Sequence, residues 1–355
     1  MHTNKLKVLV AGCGHMGTSH ARAYHSMEAF DIVGLISRTP ASRNRLSKEL
    51  GGYPTFSSFE EALAATGPDI VSINTYPDTH AAYVHQSLEA GCHVFVEKPL
   101  ANTVSEAQML VDLAHKHSRK MVIGYILRVH PAWKQFIAIA QTLGTPLVMR
   151  MNLNQQSSGA QWETHKQLMT SMSPIVDCGV HYVDVMCQMT RSRPVTVSSI
   201  GARLSDEIAP DMYNYGQLQV TFEDGSVGWY EAGWGPMMSE TATFIKDVCG
   251  PLGSVSIADD VKGKTDDIEG HTQTGGLRIH HSSRDANGHF DRADDIIDTS
   301  SEPSHDELCR LEQEYLLKAI REDLDLSDHM QDAVSSLQIV LAADTAARER
   351  RTVRL

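Results

Sequence analysis

The stretch that decides the fold is residues 6–17, LKVLVAGCGHMG, in which an apolar run leads directly into a glycine-rich loop. The run has the character of a buried strand, and a helical pattern follows the loop. A strand, then G-x-G-x-x-G, then a helix is the context in which this short motif predicts a dinucleotide-binding turn. Gly12 would allow the tight turn, Gly14 would let a pyrophosphate approach the backbone, and Gly17 would let the helix pack closely on the strand. A purely structural turn is the alternative.

The other residues of this loop, Cys13, His15 and Met16, are predicted to contact the same cofactor. The helix that begins there would offer unpaired N–H groups and a partial positive charge to the phosphates. At about 20 residues after the loop, where an NAD site carries an acid for the ribose 2′-hydroxyl, the chain has Ser37 and Arg38 instead. A hydroxyl and a guanidinium suit a 2′-phosphate, which favours NADP(H) over NAD(H). A solvent-exposed arginine in an NAD enzyme is the alternative.

Strand and helix patterns alternate through the first part of the chain. The predicted strands are apolar runs at residues 6–11, 31–37, 69–75, 92–96 and 120–126. Capping boxes that begin at Ser58 and Thr103 start two of the helices between them. Strict alternation predicts an α/β fold with a doubly wound parallel sheet, a Rossmann domain over residues 1–126.

From residue 146 onward, strands follow one another through short turns. They are predicted at residues 147–153, 195–202, 215–222, 227–232 and 253–257. Asp224-Gly225 is a hairpin turn, which implies antiparallel pairing. The polar stretch 258–304 is predicted to form edge strands and surface loops, and helices are predicted to begin at Ser304 and Ser327. Residues 127–355 are therefore predicted to form an α+β domain with a mostly antiparallel open sheet, whose C-terminal helix could pack back on the Rossmann domain.

Polar residues stand at the ends of two strands of the predicted parallel sheet. Glu97 and Lys98, followed by a proline, close the run at 92–96. The carboxyl end of a buried strand is where open α/β sheets bind ligands, so both are predicted to contact the cofactor, and Lys98 also the substrate. Asn74, Thr75 and His80 would lie near the ribose and nicotinamide. A solvated strand-end charge at Lys98 and a surface helix position for His80 are the alternatives.

A second chemical cluster is residues 177–184, DCGVHYVD. If this segment is helical, Asp177, His181 and Asp184 share one face. Histidine titrates near neutrality, so His181 could take a proton from an alcohol, and a neighbouring carboxylate would fix its tautomer. A buried histidine with only a structural role is the alternative.

Bulk composition narrows the class of protein. A chain of 355 residues is long for one core, and its formal charge of −13 argues against binding to nucleic acid or an anionic membrane. No stretch is long enough to span a bilayer, and the first strand is too short for a signal peptide, so a cytoplasmic location is expected. Six cysteines without C-x-x-C spacing are expected to be reduced and mostly buried, and 18 histidines without H-E-x-x-H spacing do not predict a metal site.

These motifs occur in order, together with Tyr125-x-x-Arg128-x-x-Pro131. In combination they resemble the glucose–fructose oxidoreductase and inositol dehydrogenase family, GFO/IDH/MocA, over nearly the whole chain. The resemblance implies a Rossmann domain, then a sheet domain whose open face often makes oligomer contacts, and hence a homodimer or homotetramer. It also implies an NAD(P)-dependent oxidoreductase that acts on a secondary hydroxyl of a sugar, sugar phosphate or inositol.

The resemblance further implies roles for individual residues. Lys98, Asp177 and His181 would form the catalytic set and contact the substrate. Arg128 is predicted to bind the cofactor. Tyr125 is predicted to contact the substrate. Independently of the resemblance, Trp162, His165 and Tyr182 are predicted to line the substrate site.

Two other functions stay open. One is a glycosidase that oxidises C3 of a sugar transiently with bound NAD and then restores it. The other is a non-catalytic, cofactor-sensing regulator. A binding module has no need of Lys98 and His181, although a fold alone excludes neither function.

Overall fold

The structure, a computed structural model, describes residues 5–239, 245–258, 272 and 274–355. Contacts within the chain divide it into two compact units. The first contains Met1–Val129 and Pro303–Val334, and the second contains His130–Glu302 and Ser335–Leu355. The segment Pro303–Val334, which the sequence analysis assigned to the second domain, thus belongs to the first unit.

The described residues form helices and strands throughout both units. The strands are β1 Leu6–Ala11, β2 Phe30–Ile36, β3 Thr55–Phe56, β4 Ile70–Ile73, β5 His93–Glu97, β6 Met121–Gly124, β7 Val148–Gln156, β8 Pro194–Ala202, β9 Tyr215–Phe222, β10 Val227–Gly235, β11 Lys246–Gly250, β12 Gly253–Ile257, β13 Gly276–His281, β14 Asp295–Asp298 and β15 Val353–Arg354. The helices are α1 His15–Ser26, α2 Pro40–Glu49, α3 Phe59–Thr66, α4 His80–Glu89, α5 Val104–Lys116, α6 Pro131–Ala140, α7 Gly159–Leu168, α8 Pro174–Asp177, α9 Gly179–Thr190, α10 His305–Arg321 and α11 Ser327–Glu349. Short 3₁₀ turns lie at Pro77–Thr79 and Ile126–Arg128.

The first unit is built on a six-stranded parallel sheet with the order β3-β2-β1-β4-β5-β6. Apolar side chains on both faces bury the central strands, and Val8, Leu9 and Val10 have no exposed surface. The predicted helix starts are confirmed, since Ser58 and Thr103 each accept a backbone N–H from the third residue of the following helix. The predicted doubly wound α/β sheet is confirmed.

The second unit is built on a nine-stranded sheet with the order β14-β13-β12-β11-β7-β10-β9-β8-β15. Every neighbouring pair is antiparallel except β7 and β10, which are parallel. One face is apolar, and Met149, Leu218 and Tyr230 on it have no exposed surface. On the opposite face, Val148 and Ile200 are 43% and 61% exposed. The predicted mostly antiparallel sheet is thus confirmed.

The predicted hairpin turn at Asp224-Gly225 joins β9 and β10. Gly225 has φ of +85°, a conformation that glycine adopts without strain. Of the polar stretch predicted to form edge strands and loops, the described part contains β13 and β14, whereas residues 259–271 and 273 lie outside the described residues.

Two expectations from the sequence concern membrane-spanning helices and the state of the cysteines. None of its helices combines the length and the apolar character needed to cross a membrane. All six cysteines are free thiols, and five of them are buried, the exception being the half-buried Cys249.

Candidate active site

The glycine loop between β1 and α1 shows a different constraint at each glycine. Gly12 has φ of +99°, and a Cβ on it would lie 2.3 Å from the carbonyl oxygen of Asn74. A Cβ on Gly17 would lie 2.0 Å from the carbonyl oxygen of Gly12. Gly14 has no other atom within 4 Å of the corresponding position. The loop therefore leaves open space at Gly14, where a pyrophosphate could approach the backbone.

Helix α1 begins at His15, and no side chain of the described residues caps its N-terminus. Its first N–H groups therefore suit an anion. Cys13 is 1% exposed and its thiol donates to the carbonyl oxygen of Ile36 at 3.4 Å. Burial raises the pKa of Cys13 to about 11, so the thiol is neutral and only the backbone of this residue is offered to a ligand. His15 is exposed and Met16 half-buried.

The end of β2 carries the two residues predicted to contact the adenosine ribose. Ser37 is half-buried and Arg38 is exposed. Arg43, in α2, donates through Nη1 to the carbonyl oxygen of Ser37 at 2.7 Å. Sequence reasoning missed Arg43. Its place one turn into α2, within reach of Ser37, can be recognised only when the start of that helix is known. The β2 end thus combines two guanidinium groups with a hydroxyl.

The end of β4 is held by hydrogen bonds from its own polar residues. The backbone N–H of Asn74 donates to the carbonyl oxygen of Ala11, and its side-chain amide donates to Ser72 Oγ at 3.0 Å. The Thr75 and Thr79 hydroxyl oxygens lie 2.6 Å apart. These bonds place the end of β4 beside the glycine loop that follows β1.

His80 is fully buried, so the alternative of a surface helix residue is wrong. Its Nδ1 lies 2.8 Å from the carbonyl oxygen of Pro99 and its Nε2 lies 2.9 Å from that of Thr75. Burial lowers the pKa of His80. The imidazole connects the end of β4 to the residue after Lys98, and its predicted contact with the cofactor stays a prediction.

Lys98 follows the carboxyl end of β5 and is half-buried. Its backbone N–H donates to Glu97 Oε2 at 3.3 Å, and Glu97 Oε1 lies 2.8 Å from His20 Nε2. The Glu97 carboxylate is therefore engaged by the protein. Because β1, β4 and β5 are neighbours in the parallel sheet, Gly12, Asn74 and Lys98 follow three adjacent strand ends.

Arg128 and Tyr125, which the resemblance assigned to ligands, make contacts within the first unit. Arg128 Nη2 lies 2.7 Å from Asp332 Oδ2, and both side chains are mostly buried. The Arg128 guanidinium carbon lies 5.8 Å from the centre of the Tyr125 ring. Tyr125 is 1% exposed. The structure thus places both residues in a buried ion-pair and aromatic cluster, and their ligand contacts stay predictions.

In the second unit, the segment predicted to be one helix is divided between α8 and α9. Asp177 is the last residue of α8, and His181 lies in the first turn of α9. The segment is helical except at Cys178, where the His181 N–H bonds to the carbonyl oxygen of Cys178 at 3.2 Å, a three-residue spacing that tightens the turn. Asp184 is fully buried and accepts a hydrogen bond from Gln188 Nε2 at 3.0 Å. The expected place of His181 between two carboxylates stays a prediction.

His165 and Trp162 of α7 are both nearly buried. The His165 ring stacks on that of Trp234 with a centroid distance of 4.5 Å, and its Nδ1 lies 2.9 Å from Ser157 Oγ. Burial lowers the pKa of His165 to about 4, against an opposing effect of Asp177, so this imidazole is neutral at physiological pH. Trp162 Nε1 donates to Glu207 Oε1 at 3.2 Å.

Gln155 connects three elements and was missed by sequence reasoning. Its Oε1 accepts from Trp234 Nε1 at 2.8 Å and from the Cys178 thiol at 3.7 Å. This brings the ends of β7 and β10 to the junction of α8 and α9. The polar run at residues 152–156, at the carboxyl end of a strand, was the available signal. Tyr182 is fully buried, with its ring stacked 5.0 Å from that of Tyr230, and its place in the substrate wall stays a prediction.

The strand order of the first unit, with a G-x-G-x-x-G loop after β1, defines the Rossmann class of dinucleotide-binding proteins. Residues 6–125 match the model of an oxidoreductase family with an NAD-binding Rossmann fold, and residues 133–247 match the GFO/IDH/MocA C-terminal domain. The chain belongs to the GFO/IDH/MocA family of oxidoreductases.

The chain is similar, at low sequence identity, to enzymes of named activity. The chain is 24% identical to scyllo-inositol 2-dehydrogenase (NAD(+)) of Bacillus subtilis over 363 residues, which cover 99% of this chain and 97% of that protein. It is 25% identical to 4-carboxy-2-hydroxymuconate-6-semialdehyde dehydrogenase of Sphingobium over 169 residues, 45% of this chain and only about half, 54%, of that protein.

Among solved structures, an aldose-aldose oxidoreductase from Caulobacter crescentus, complexed with glycerol, superposes with a TM-score of 0.79. It covers 99% of this chain and 100% of its own at 20% identity. This similarity extends the shared fold to nearly the whole chain.

Proposed function

We propose that this protein is an NAD(P)-dependent dehydrogenase that transfers a hydride between nicotinamide and a secondary hydroxyl of a sugar, sugar phosphate or inositol. In this proposal the domain predicted at residues 1–126 binds the cofactor and the domain predicted at 127–355 binds the substrate. The observation that carries the proposal is the arrangement of Gly12, Asn74 and Lys98 after three adjacent strand ends. That arrangement puts a lysine beside the edge of the sheet at which Rossmann domains bind dinucleotides.

The cofactor fits the residues that are present. The open space at Gly14 and the uncapped start of α1 suit a pyrophosphate. When bound, the nicotinamide supplies the hydride chemistry. Ser37, Arg38 and Arg43 at the end of β2 support a preference for NADP(H), because guanidinium groups pair with a 2′-phosphate.

The chain's own residues handle the proton and the developing charge. His181 accepts the proton of the substrate hydroxyl, and Asp177 orients the site. Lys98 stabilises the alkoxide that develops, by its charge and by a hydrogen bond. His165, neutral and fixed on Ser157, is available to bond a substrate hydroxyl, in line with its predicted place in the substrate wall.

A panel of aldoses, sugar phosphates and inositols tests the proposal, with absorbance at the nicotinamide band recorded for NAD and NADP separately. Cofactor reduction with at least one polyol, lost in Lys98→Ala and His181→Asn, is the expected result. A protein that binds cofactor but reduces it with no polyol would contradict the proposal and favour the cofactor-sensing regulator.

The redox glycosidase is distinguished by a second assay. It would release the chromophore from an aryl glycoside in the presence of bound NAD and would produce no net NADH. The dehydrogenase leaves the aryl glycosidic bond intact.

We propose the polyol substrate as the binding partner of this protein. We also propose that the protein is a cytoplasmic homodimer or homotetramer. The open face of the second sheet supports self-association, because Val148, Ile200 and Val227 on it are between 39% and 61% exposed. Light scattering during size-exclusion chromatography measures the assembly, and a monomer at micromolar concentration would contradict it.

A further inference from the structure

We propose that a buried chain of four side chains, Tyr24, Gln313, His20 and Glu97, is a positioning device for Lys98. The inference rests on the proposed function, in which Lys98 acts on the substrate. It adds residues from α1 and α10 that touch neither cofactor nor substrate, and that act through the backbone of the lysine.

Each hydrogen bond in the chain has one consistent direction. The Tyr24 hydroxyl donates to Gln313 Oε1, and Gln313 Nε2 donates to His20 Nδ1 at 3.0 Å. His20 Nε2 then donates to Glu97 Oε1 at 2.8 Å. Because Nδ1 accepts and Nε2 donates, the chain specifies one tautomer of His20. Its far end is in the core, since Tyr24 and Gln313 have no exposed surface.

The chain ends on the backbone of Lys98. Glu97 Oε2 accepts the Lys98 N–H at 3.3 Å, so the carboxylate bridges His20 and the residue that carries the functional amine. A Cβ on Gly124, in the neighbouring strand β6, would lie 3.3 Å from Glu97 Oε2. Glycine at this position thus leaves room for the carboxylate in this orientation. Strand β5 is buried, and Lys98 is the first residue after it. Rotation of the Glu97 side chain would therefore move the backbone of Lys98.

Among the four hydrogen-bonded side chains, Glu97 is the one that carries charge. Burial opposes ionisation of this carboxyl, but its hydrogen bond with His20 and the nearby charge of Lys98 lower its pKa. Glu312, 2% exposed on the same helix as Gln313, has a raised pKa because of burial and the charge of Glu97. Burial and the charge of Glu97 thus both disfavour a charge on Glu312. The Glu97 carboxylate is thus the acceptor both of the His20 N–H and of the Lys98 backbone N–H.

His20, Cys309 and Glu312 also lie close enough together that one metal ion could contact all three. Both ring nitrogens of His20 are engaged, however, one by Glu97 and the other by Gln313. A metal ion on this histidine would have to displace one of these bonds. The geometry therefore indicates a hydrogen-bond chain at this place.

A second buried histidine acts on the other side of the lysine. His80 contacts the carbonyl oxygens of Pro99 and Thr75 at 2.8 and 2.9 Å. The residues before and after Lys98 are therefore each tied to a fully buried imidazole, on α1 and on α4 respectively. This double attachment restricts the backbone from which the Lys98 amine extends.

The test combines kinetics with a readout of the lysine that needs no substrate. Lysines are reductively ¹³C-methylated, and the Lys98 resonance is assigned by its absence in Lys98→Arg. We expect His20→Asn to shift this resonance and to lower kcat by about 10-fold to 100-fold, as misplacement of a reacting group does, with KM and cofactor Kd changed less than about twofold. His25→Asn is the matched control, because His25 lies on the exposed face of the same helix.

Gly124→Ala provides a second variant that keeps every side chain of the network. It crowds the Glu97 carboxylate and also the Phe95 ring, which packs against His20. It should shift the same resonance and lower kcat in the same direction. Circular dichroism and thermal melts establish that each variant is folded. If the Lys98 resonance stays in place in both folded variants, the inference is wrong.

A failure of the proposed function would look different. If Lys98→Ala retained full turnover while His20→Asn still moved the Lys98 resonance, the positioning device would stand and the role of the lysine in turnover would be wrong.

Discussion

The carbonyl oxygen of Gly12 occupies the place that a side chain on Gly17 would need, with only 2.0 Å between that oxygen and a Cβ at position 17. This contact fixes how closely the start of α1 approaches the end of β1. The loop therefore distinguishes a glycine needed for packing from Gly14, which faces open space.

Gly17→Ala should destabilise the fold, whereas Gly14→Ala should not. The added methyl at position 17 meets backbone that cannot yield cheaply, so we expect a loss of roughly 1–3 kcal/mol or more. Gly14→Ala should change stability by less than about 1 kcal/mol but weaken cofactor binding, since its methyl would fill the space offered to the pyrophosphate. Urea unfolding and fluorescence titration with cofactor measure the two effects. Equal stability losses would contradict the assignment.

Lys98→Ala should lower kcat by on the order of 10² or more, the scale of removing one strong electrostatic donor from a transition state. Cofactor affinity should change little, because the lysine acts on charge that develops during the reaction. Steady-state kinetics and a cofactor titration measure the two quantities. Lys116→Ala, at an exposed position at the end of α5, is the matched control. Turnover near that of the control would remove Lys98 from the catalytic set.

Arg38→Ala should weaken binding of NADP(H) about tenfold to a hundredfold more than that of NAD(H). The reason is that only NADP(H) carries a 2′-phosphate, and a charge-assisted hydrogen bond to it contributes roughly 1.5–3 kcal/mol. Arg43→Ala removes a guanidinium that also holds the Ser37 carbonyl, so it should weaken both cofactors. Arg45→Ala, an exposed arginine of the same helix, is the control. Equal losses of affinity for the two cofactors in Arg38→Ala would show that Arg38 supports the loop and does not pair with a 2′-phosphate.

His181 and His165 should differ in the pH profile of alcohol oxidation. As the proton acceptor, His181 must be neutral, so oxidation should fall as pH drops through its pKa. Burial lowers the pKa of His165 to about 4, so this residue stays neutral throughout the range near neutrality. We expect His181→Asn to lose about 10²-fold to 10⁴-fold in rate together with the acidic limb. His165→Asn should keep that limb. A limb that moved with His165 instead would reverse the assignment.

His130 should make the protein acid-sensitive. Its Nδ1 caps α6 by accepting the Ala132 N–H at 3.2 Å, and a proton on that nitrogen would break the cap. Burial lowers the pKa of His130 to about 4, with Lys246 adding to the effect and Glu302 opposing it. Between this value and an unfolded pKa of about 6.5 the unfolded chain binds more protons. The contribution of His130 to the free energy of unfolding is therefore full above pH 6.5 and is lost as pH falls towards 4.

His130→Asn keeps a side-chain cap on α6 but cannot titrate. We expect the loss of stability between pH 7 and pH 5 to be smaller in this variant, by roughly 2 kcal/mol at 1.4 kcal/mol per pH unit. Urea unfolding at the two pH values measures it, and His289→Asn, at an 81% exposed histidine, is the control. An unchanged pH dependence in His130→Asn would show that other groups carry the acid sensitivity.

The sequence by itself determined the parallel sheet, the hairpin turn and the helix starts, because these depend on local patterns. Apolar runs form buried strands, Asp-Gly forms a tight turn, and the Ser58 and Thr103 hydroxyls cap helices within four residues of themselves. The glycine loop belongs to the same group. Its glycines, and the lysine after β5, are recognisable from neighbours in the chain alone.

Only the tertiary structure decided which polar groups meet across long separations. His20 and Glu97 are 77 residues apart in the chain, and Gln313 lies a further 216 residues beyond Glu97, yet their side chains bond in one buried network. A sequence pattern records which face of a helix is apolar, but it does not record which helix packs on it. Burial of His80 follows from the same cause, since one of its ring nitrogens contacts the carbonyl oxygen of Pro99, 19 residues away in the chain.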